Sequence, residues 1–278
     1  MPLHLIGTGL GDETDLTLRG IELIRQSDAV FLESYTSIPC AAGFLEKLQA
    51  ITGKTVEPAD RYFVEDATAL VELSKVKKVS LLVVGDPFSA TTHSDLYIRC
   101  KAEGVDVTVV HNASILNAIG VTGLQLYRFG QVITLCFWTD NWRPKSWFPV
   151  LEENIRRGLH TLILLDIKTK EVSDENLARG RMDTFEPPRY MSVHEGIAQV
   201  DLVARELGSK CINESSRMIA VSRLGSVKQQ ILHGDIRSWM ARTPAEVADR
   251  MGEPLHSLVL PGDLHPCELE HLLTFPAV

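Results

Sequence analysis

The sequence has no long apolar run, no excess of basic charge, no closely spaced cysteines and few aromatic residues, and each shortage narrows what the chain does. A membrane span needs about 18 or more consecutive apolar residues, and none occurs. The opening Met1-Pro2-Leu3-His4-Leu5-Ile6-Gly7 lacks a basic stretch, and its apolar run is too short for a signal peptide, so the chain is expected to stay in the cytoplasm. Cys40, Cys100, Cys136, Cys211 and Cys267 are scattered, which leaves no zinc knuckle or redox pair; no metal site is expected. A net charge of -8 provides no basic footprint for nucleic acid, and suits cationic ligands where the charges lie near the site. Repeats and low-complexity tracts are missing too.

What is there is the balance of a folded protein, 45% hydrophobic and 23% charged. At 278 residues the chain exceeds what one core comfortably fills, so two lobes are expected. Apolar runs of strand length alternate with amphipathic stretches of helix length, the pattern of an α/β fold with a mainly parallel sheet in each lobe. Strands are expected at Leu3–Ile6, Ala29–Leu32, Val79–Val84, Val105–Val110, Val132–Phe137, Thr161–Leu165, Met218–Val221 and Ser257–Leu260. Helices are expected after Thr17, over Asp66–Lys77 and Ser94–Ala102, from Ser114 through Gly120, over Ser146–Arg157, after a Ser192/Glu195 capping box, and over Glu268–Leu273. An irregular, charged segment should precede Pro188. The lobes are set at 1–112 and 113–278.

Several loops leave the carboxyl ends of these strands, where open α/β sheets bind ligands. Gly7-Thr8-Gly9-Leu10-Gly11-Asp12 permits close approach of backbone to a ligand, or is a plain strand-to-helix turn; Asp12 stands where a dinucleotide fingerprint wants glycine. In Gly85-Asp86-Pro87-Phe88-Ser89-Ala90-Thr91-Thr92-His93, Asp86 faces a cofactor's positive charge or ribose, or else binds its own turn amides. His93 is a base or a member of a loop hydrogen-bond network. His111-Asn112-Ala113-Ser114-Ile115 offers free amides and the Ser114 hydroxyl to a carboxylate, or a simple helix cap.

Three of the four tryptophans fall within Trp138-Thr139-Asp140-Asn141-Trp142-Arg143-Pro144-Lys145-Ser146-Trp147. Such a loop holds a cation on ring faces, docks a protein, or packs in the core; Trp138 suits the core and Trp142 exposure. After Pro187-Pro188, Arg189 is fixed in direction and meets a substrate carboxylate or a surface ion pair. His256, in Gly252-Glu253-Pro254-Leu255-His256-Ser257, is a cofactor contact or a satisfied core histidine.

Taken together and in this order, the segments resemble the diphthine synthase family, whose fold is shared with the tetrapyrrole methylases. The resemblance spans nearly the whole chain. It includes Leu5 to Asp12, Leu32-Glu33-Ser34-Tyr35-Thr36-Ser37, Val83 to Phe88, Ala90 to Asp95, His111 to Ile115, Phe137-Trp138-Thr139-Asp140, Leu164-Leu165-Asp166-Ile167-Lys168, Pro187 to Met191 and Gly252 to Leu258. Ser89 departs from an expected glycine, and Thr8 from an apolar residue.

The resemblance implies a homodimer of two-lobed α/β subunits with S-adenosylmethionine in the cleft between lobes, leaving as S-adenosylhomocysteine. The implied cofactor contacts are Leu10, Asp86, Ser89, Ser114, Ile115, Leu165, Leu224 and His256. The implied substrate is the 3-amino-3-carboxypropyl-histidine of translation elongation factor 2. The eukaryotic form of the family makes four transfers, giving diphthine methyl ester, and the archaeal form three; this sequence leans to the former. The methyl of a sulfonium is already activated, so neither metal nor covalent nucleophile is needed, and no general base is assigned. Trp142 and Asp140 are expected to accommodate the accumulating trimethylammonium, and Arg189 the substrate carboxylate. A tetrapyrrole methylase of the same fold, or a non-catalytic cofactor-binding module, are the competing readings.

Overall fold

A computed structural model describes residues 1–33, 35, 37–39, 41–169, 179 and 185–278. Ser34, Thr36 and most of the expected irregular segment before Pro188 lie outside the described residues, as does Cys40. The chain forms two compact units: residues 1–118 with 225–227, and residues 119–224 with 228–278. The first unit therefore runs on past residue 112, where sequence reading set the boundary, through a short helix to Ala118.

The first unit is built on a five-stranded sheet in the order β3-β2-β4-β1-β5, with β1 Pro2–Gly7, β2 Ala29–Glu33, β3 Glu57–Ala59, β4 Val79–Val83 and β5 Asp106–Val110. Every pairing is parallel. Side chains alternate between two faces: Leu3, Leu5, Phe31, Leu81 and Val83 enter one apolar cluster, and Ile6, Val30, Leu32 and Leu82 the other. Burial on both faces explains why β4 is an uncharged run, and each such leucine contributes about 1.5–3 kcal/mol. Helices α1 Leu18–Gln26, α2 Phe44–Thr52, α3 Arg61–Asp66, α4 Thr68–Val76, α5 His93–Ala102 and α6 Ile115–Ala118 complete the unit. Thr17 caps α1 by accepting from Gly20 N–H. The helix expected over Asp66–Lys77 is present as α4, starting two residues later because Ala67 takes a left-handed conformation (φ 58°) that separates it from the unexpected α3. The functional consequence of the topology is simple: β4, β1 and β5 are parallel neighbours, so the loops leaving their carboxyl ends share one edge.

The second unit corrects an expectation. Its five-stranded sheet, in the order β11-β10-β12-β7-β6, comprises β6 Ile133–Leu135, β7 Thr161–Leu165, β10 Arg217–Ser222, β11 Gln230–Asp235 and β12 His256–Leu260. Only β6 and β7 pair in parallel; the other three pairings are antiparallel, so this sheet is not mainly parallel. The connection from β10 to β11 is far shorter than the dozen or so residues of a parallel crossover and forces a reversal. Near-complete burial of β10 and β12 still gives them the continuous apolar look of parallel strands.

Helices α7 Phe148–Arg156, α8 Val193–Glu206, α9 Ile236–Met240, α10 Pro244–Met251 and α11 Pro266–Leu272 pack in this unit. The capping box opening α8 is present in both directions: Ser192 Oγ accepts from Glu195 N–H at 3.2 Å, and Glu195 accepts from Ser192 N–H at 2.8 Å. A cap of this kind stabilises a helix by about 1 kcal/mol. A two-stranded antiparallel ribbon pairs β8 Ile167–Lys168 with β9 Arg189–Tyr190. No helix among the described residues is long and apolar enough to cross a membrane.

Candidate functional site

In the first unit the loops after β1, β4 and β5 are tied to one another by main-chain and carboxylate hydrogen bonds. Gly9 and Gly85 exchange a reciprocal pair, Gly9 N–H to Gly85 O at 3.2 Å and Gly85 N–H to Gly9 O at 2.8 Å. Both need positive φ, 79° and 84°, which glycine adopts without strain. A Cβ on Gly7 would stand 2.5 Å from Gly85 O, so the close approach of the two loops demands glycine there as well. Asp15 Oδ2 accepts from Leu10 N–H at 3.2 Å and Gly11 N–H at 2.7 Å, and so shapes the turn that presents Leu10.

Asp86, buried at the end of β4, is the knot. Its Oδ1 accepts from Phe88 N–H at 2.9 Å and Ser89 Oγ at 3.3 Å; its Oδ2 accepts from His111 Nδ1 at 2.8 Å and Asn112 N–H at 3.1 Å. A carboxylate has about four lone-pair positions, and all are filled from within the protein. Burial works to raise the Asp86 pKa, yet the Phe88, His111 and Asn112 bonds together hold it below the ordinary carboxylate range. The carboxyl group thus binds its own turn, and what it offers beyond the loop is a fixed negative charge.

Three of the amides expected to be free after β5 are engaged. Asn112 N–H goes to Asp86, Ala113 N–H to the Asn112 side-chain oxygen at 2.8 Å, and Ser114 N–H to Asn117 Oδ1 at 2.7 Å. A carboxylate there would meet the Ser114 hydroxyl, not the amides of Asn112, Ala113 and Ser114. The Asn112 amide group reaches Gly7 O and Asp15 O, both at 3.0 Å, and fastens this loop to the end of β1. His93 Nδ1 donates to Pro87 O at 2.9 Å, the loop-network role, while its buried Nε2 has no partner.

The second unit brings Leu165, Leu224 and His256 to neighbouring strands of one sheet: Leu165 ends β7, Leu224 follows β10, and His256 opens β12 between them. Leu165 and Leu224 are buried. His256 Nε2 donates to Gly252 O at 3.0 Å, and its buried Nδ1 makes no hydrogen bond, although the Met191 backbone also faces the ring. Burial lowers the pKa of His256, the Gly252 and Met191 backbone groups oppose the change, and the nearby Arg223 cation adds to it. The balance favours the neutral ring, with Nε2 spent on Gly252 O.

Trp142 is 56% exposed and lines an open cavity of about 380 Å³ together with Ile133, Cys136, Pro144 and Trp147. Asp140 is exposed beside it in sequence. Trp138 is partly buried against the core, with Arg143 over its ring at 5.8 Å, and Trp147 is buried. Arg189 is exposed and lies over the Phe137 ring at 5.0 Å, a contact sequence reading did not anticipate. No group of three or more potential metal ligands occurs among the described residues.

Five of the eight expected cofactor contacts (Leu10, Asp86, Ser89, Ser114, Ile115) belong to the first unit and three (Leu165, Leu224, His256) to the second. Residues that sequence reasoning passed over, Asp15 and Arg223, build the loops that present them. Asp15 carries a faint signal, an acid placed after a glycine-rich turn; Arg223 carries none.

The family model of tetrapyrrole (corrin/porphyrin) methylases matches residues 2–239. The chain belongs to the tetrapyrrole methylase family. Among members of this methylase family it is 48% identical over 276 residues to the diphthine methyl ester synthase of Saccharomyces cerevisiae, covering 98% of this chain and 89% of that protein. It is 42% identical over 279 residues to the diphthine methyl ester synthase of Homo sapiens, covering 98% and 94%. A crystal structure of a putative diphthine synthase from Entamoeba histolytica superimposes with a TM-score of 0.84 at 39% identity, covering 99% of this chain and 98% of that one.

Proposed function

We propose that this methylase transfers methyl groups from S-adenosylmethionine to the 3-amino-3-carboxypropyl-histidine of translation elongation factor 2, in four steps ending at diphthine methyl ester. The reading places it in the cytoplasm as a homodimer. The observation that carries it is the likeness to diphthine methyl ester synthases along almost the full length of both chains.

The residues fit the donor on two counts. His256 keeps a buried Nδ1 without a hydrogen-bond partner, and the buried Leu165, at the end of β7, and Leu224, just past β10, are apolar residues at the same end of the sheet. Bound, the donor supplies a methyl group on positively charged sulfur, which is already activated for in-line displacement. This chain's residues then have to bind, orient and exclude water. Leu10, Asp86, Ser89, Ser114, Ile115, Leu165, Leu224 and His256 are the proposed donor contacts; Asp86 acts through its fixed charge, which favours a cationic ligand. The exposed Trp142 ring and the Asp140 carboxylate accommodate the growing trimethylammonium, and Arg189 meets the substrate carboxylate before its esterification. Protons released between nitrogen transfers pass to solvent.

The test is mass spectrometry of elongation factor 2 carrying the unmethylated side chain, incubated with this protein and S-adenosylmethionine. Four successive additions are expected, one of them removed by mild alkali as an ester would be. A product with no alkali-labile methyl would limit the reaction to three transfers, and no addition at all would overturn the reading.

A further inference from the structure

Arg223 is an unusual residue to find where it is. It is only 9% exposed, it occupies the left-handed region (φ 49°) that disfavours side chains, and no carboxylate pairs with it among the described residues. A buried guanidinium is costly unless its donors are used, and here they are spent on main-chain carbonyls of two loops. Nε and Nη2 donate to Lys228 O at 3.1 and 2.8 Å, and Nη1 donates to Glu253 O. The Arg223 main-chain N–H adds a bond to Leu255 O at 3.0 Å.

The guanidinium also lies against Gly252, where a Cβ would stand 2.9 Å from Nη2 and 3.0 Å from Nη1. Gly252 itself has φ 68° and ψ -157°, a conformation open in practice to glycine alone. Its carbonyl is the acceptor for His256 Nε2. The side chain thereby ties the loop that follows Leu224 to Glu253, next to the glycine that orients His256, while the Arg223 main chain holds the residue before His256. The corner is stiffened further by Ser222 Oγ donating to Met251 O at 2.8 Å.

We infer that Arg223 is a positioning residue for methyl-donor binding, setting Leu224 and His256 in place by bridging the loops after β10 and before β12. This rests on the donor reading given above for Leu224 and His256. A buried cation balanced only by carbonyl dipoles is replaceable in a purely structural role by an apolar side chain of similar length; a bridge that must hold two loops in register is not. Lysine is a partial substitute, since one ammonium lacks the planar fork that spans both carbonyls.

The experiment compares the full-length protein with Arg223→Met and Arg223→Lys by calorimetry with S-adenosylhomocysteine, by steady-state kinetics for donor and protein substrate, and by urea denaturation. Arg223→Met is expected to weaken S-adenosylhomocysteine binding and raise the donor KM by about tenfold, with a much smaller fall in kcat and no change in the KM for elongation factor 2. Arg223→Lys is expected to fall between. A folded Arg223→Met with product affinity within about twofold of the parent overturns the inference, as do equal losses in kcat and both KM values. Should Arg223→Met not fold, the same comparison on Arg223→Lys decides. Failure of the parent protein to bind S-adenosylhomocysteine removes the donor reading itself, and the inference with it.

Discussion

His111 donates its Nδ1 hydrogen to Asp86 at 2.8 Å, joining the loop after β5 to the loop after β4 through a carboxylate with no lone pair to spare. Asp86→Asn would set an amide NH2 against groups that are themselves donors. The expected outcome is a loss of about 2 kcal/mol of stability at neutral pH and weaker donor binding, measured by urea denaturation and by calorimetry with S-adenosylhomocysteine. The sign with pH follows from the lowered carboxyl pKa: the contribution is complete above the unfolded value and disappears as pH falls through the folded one. In the Asn variant that acid-side loss should be smaller.

His256→Ala removes both the tie to Gly252 and the buried Nδ1. The donor KM should rise about tenfold, with the KM for elongation factor 2 unmoved. Initial-rate measurements at fixed protein substrate settle this, and an unchanged donor KM would remove His256 from the donor contacts.

Trp142→Ala alters a side chain that is more than half exposed, so thermal stability should stay within about 0.5 kcal/mol of the parent. The later methyl additions should slow relative to the first, because the cationic product grows with each step. A time course of intact-mass spectra reads both; identical progress curves would dissociate Trp142 from the substrate.

Glu268 is buried and accepts four bonds, from Gln125 N–H, His160 Nε2, Arg128 Nη1 and His265 N–H. Burial acts to raise its pKa, but the Gln125, His265 and His160 bonds outweigh it and leave the group below its ordinary value. Glu268→Gln should cost about 3 kcal/mol, visible in the urea midpoint, with turnover per folded molecule retained.

His4 sits on β1 between Ser80 and Thr108 of the neighbouring strands, with Nδ1 buried and unpartnered. Burial lowers its pKa, helped by Lys78, and burial also lowers that of His160. Both groups favour the folded state when neutral, so stability should be full above the usual histidine value of about 6.5 and fall as pH drops through the folded values. His4→Leu should stabilise by about 1 kcal/mol and make the decline from pH 7 to 5 shallower. A steeper decline would contradict the assignment.

Much of the first unit is legible in the sequence. Its strands β1, β2, β4 and β5 are short apolar runs bounded by polar or glycine-bearing turns, and Thr17 announces α1, as Ser192 does α8 in the second unit, through a side-chain oxygen that has a local target. Strand β3 is invisible because Glu57-Pro58-Ala59 has no apolar pattern, and β11 because His233, Gly234 and Asp235 interrupt it. The site loops stand out as glycine- and proline-rich strand exits, and Trp142 as the exposed tryptophan. What the loops do with their own polar groups does not: the four donors to Asp86 come partly from residues more than twenty positions away.

The sequence alone determined the α/β alternation, the strand-exit loops that carry the candidate residues, and the family resemblance, because these depend on local pattern and residue order. Only the tertiary structure decided that the second sheet runs mostly antiparallel, that the amides of Asn112, Ala113 and Ser114 are already satisfied, and that Arg223 joins the loops around His256. Strand direction and hydrogen-bond partnership are relations between distant segments, and a residue's type says what it is able to bind without saying which group will be there.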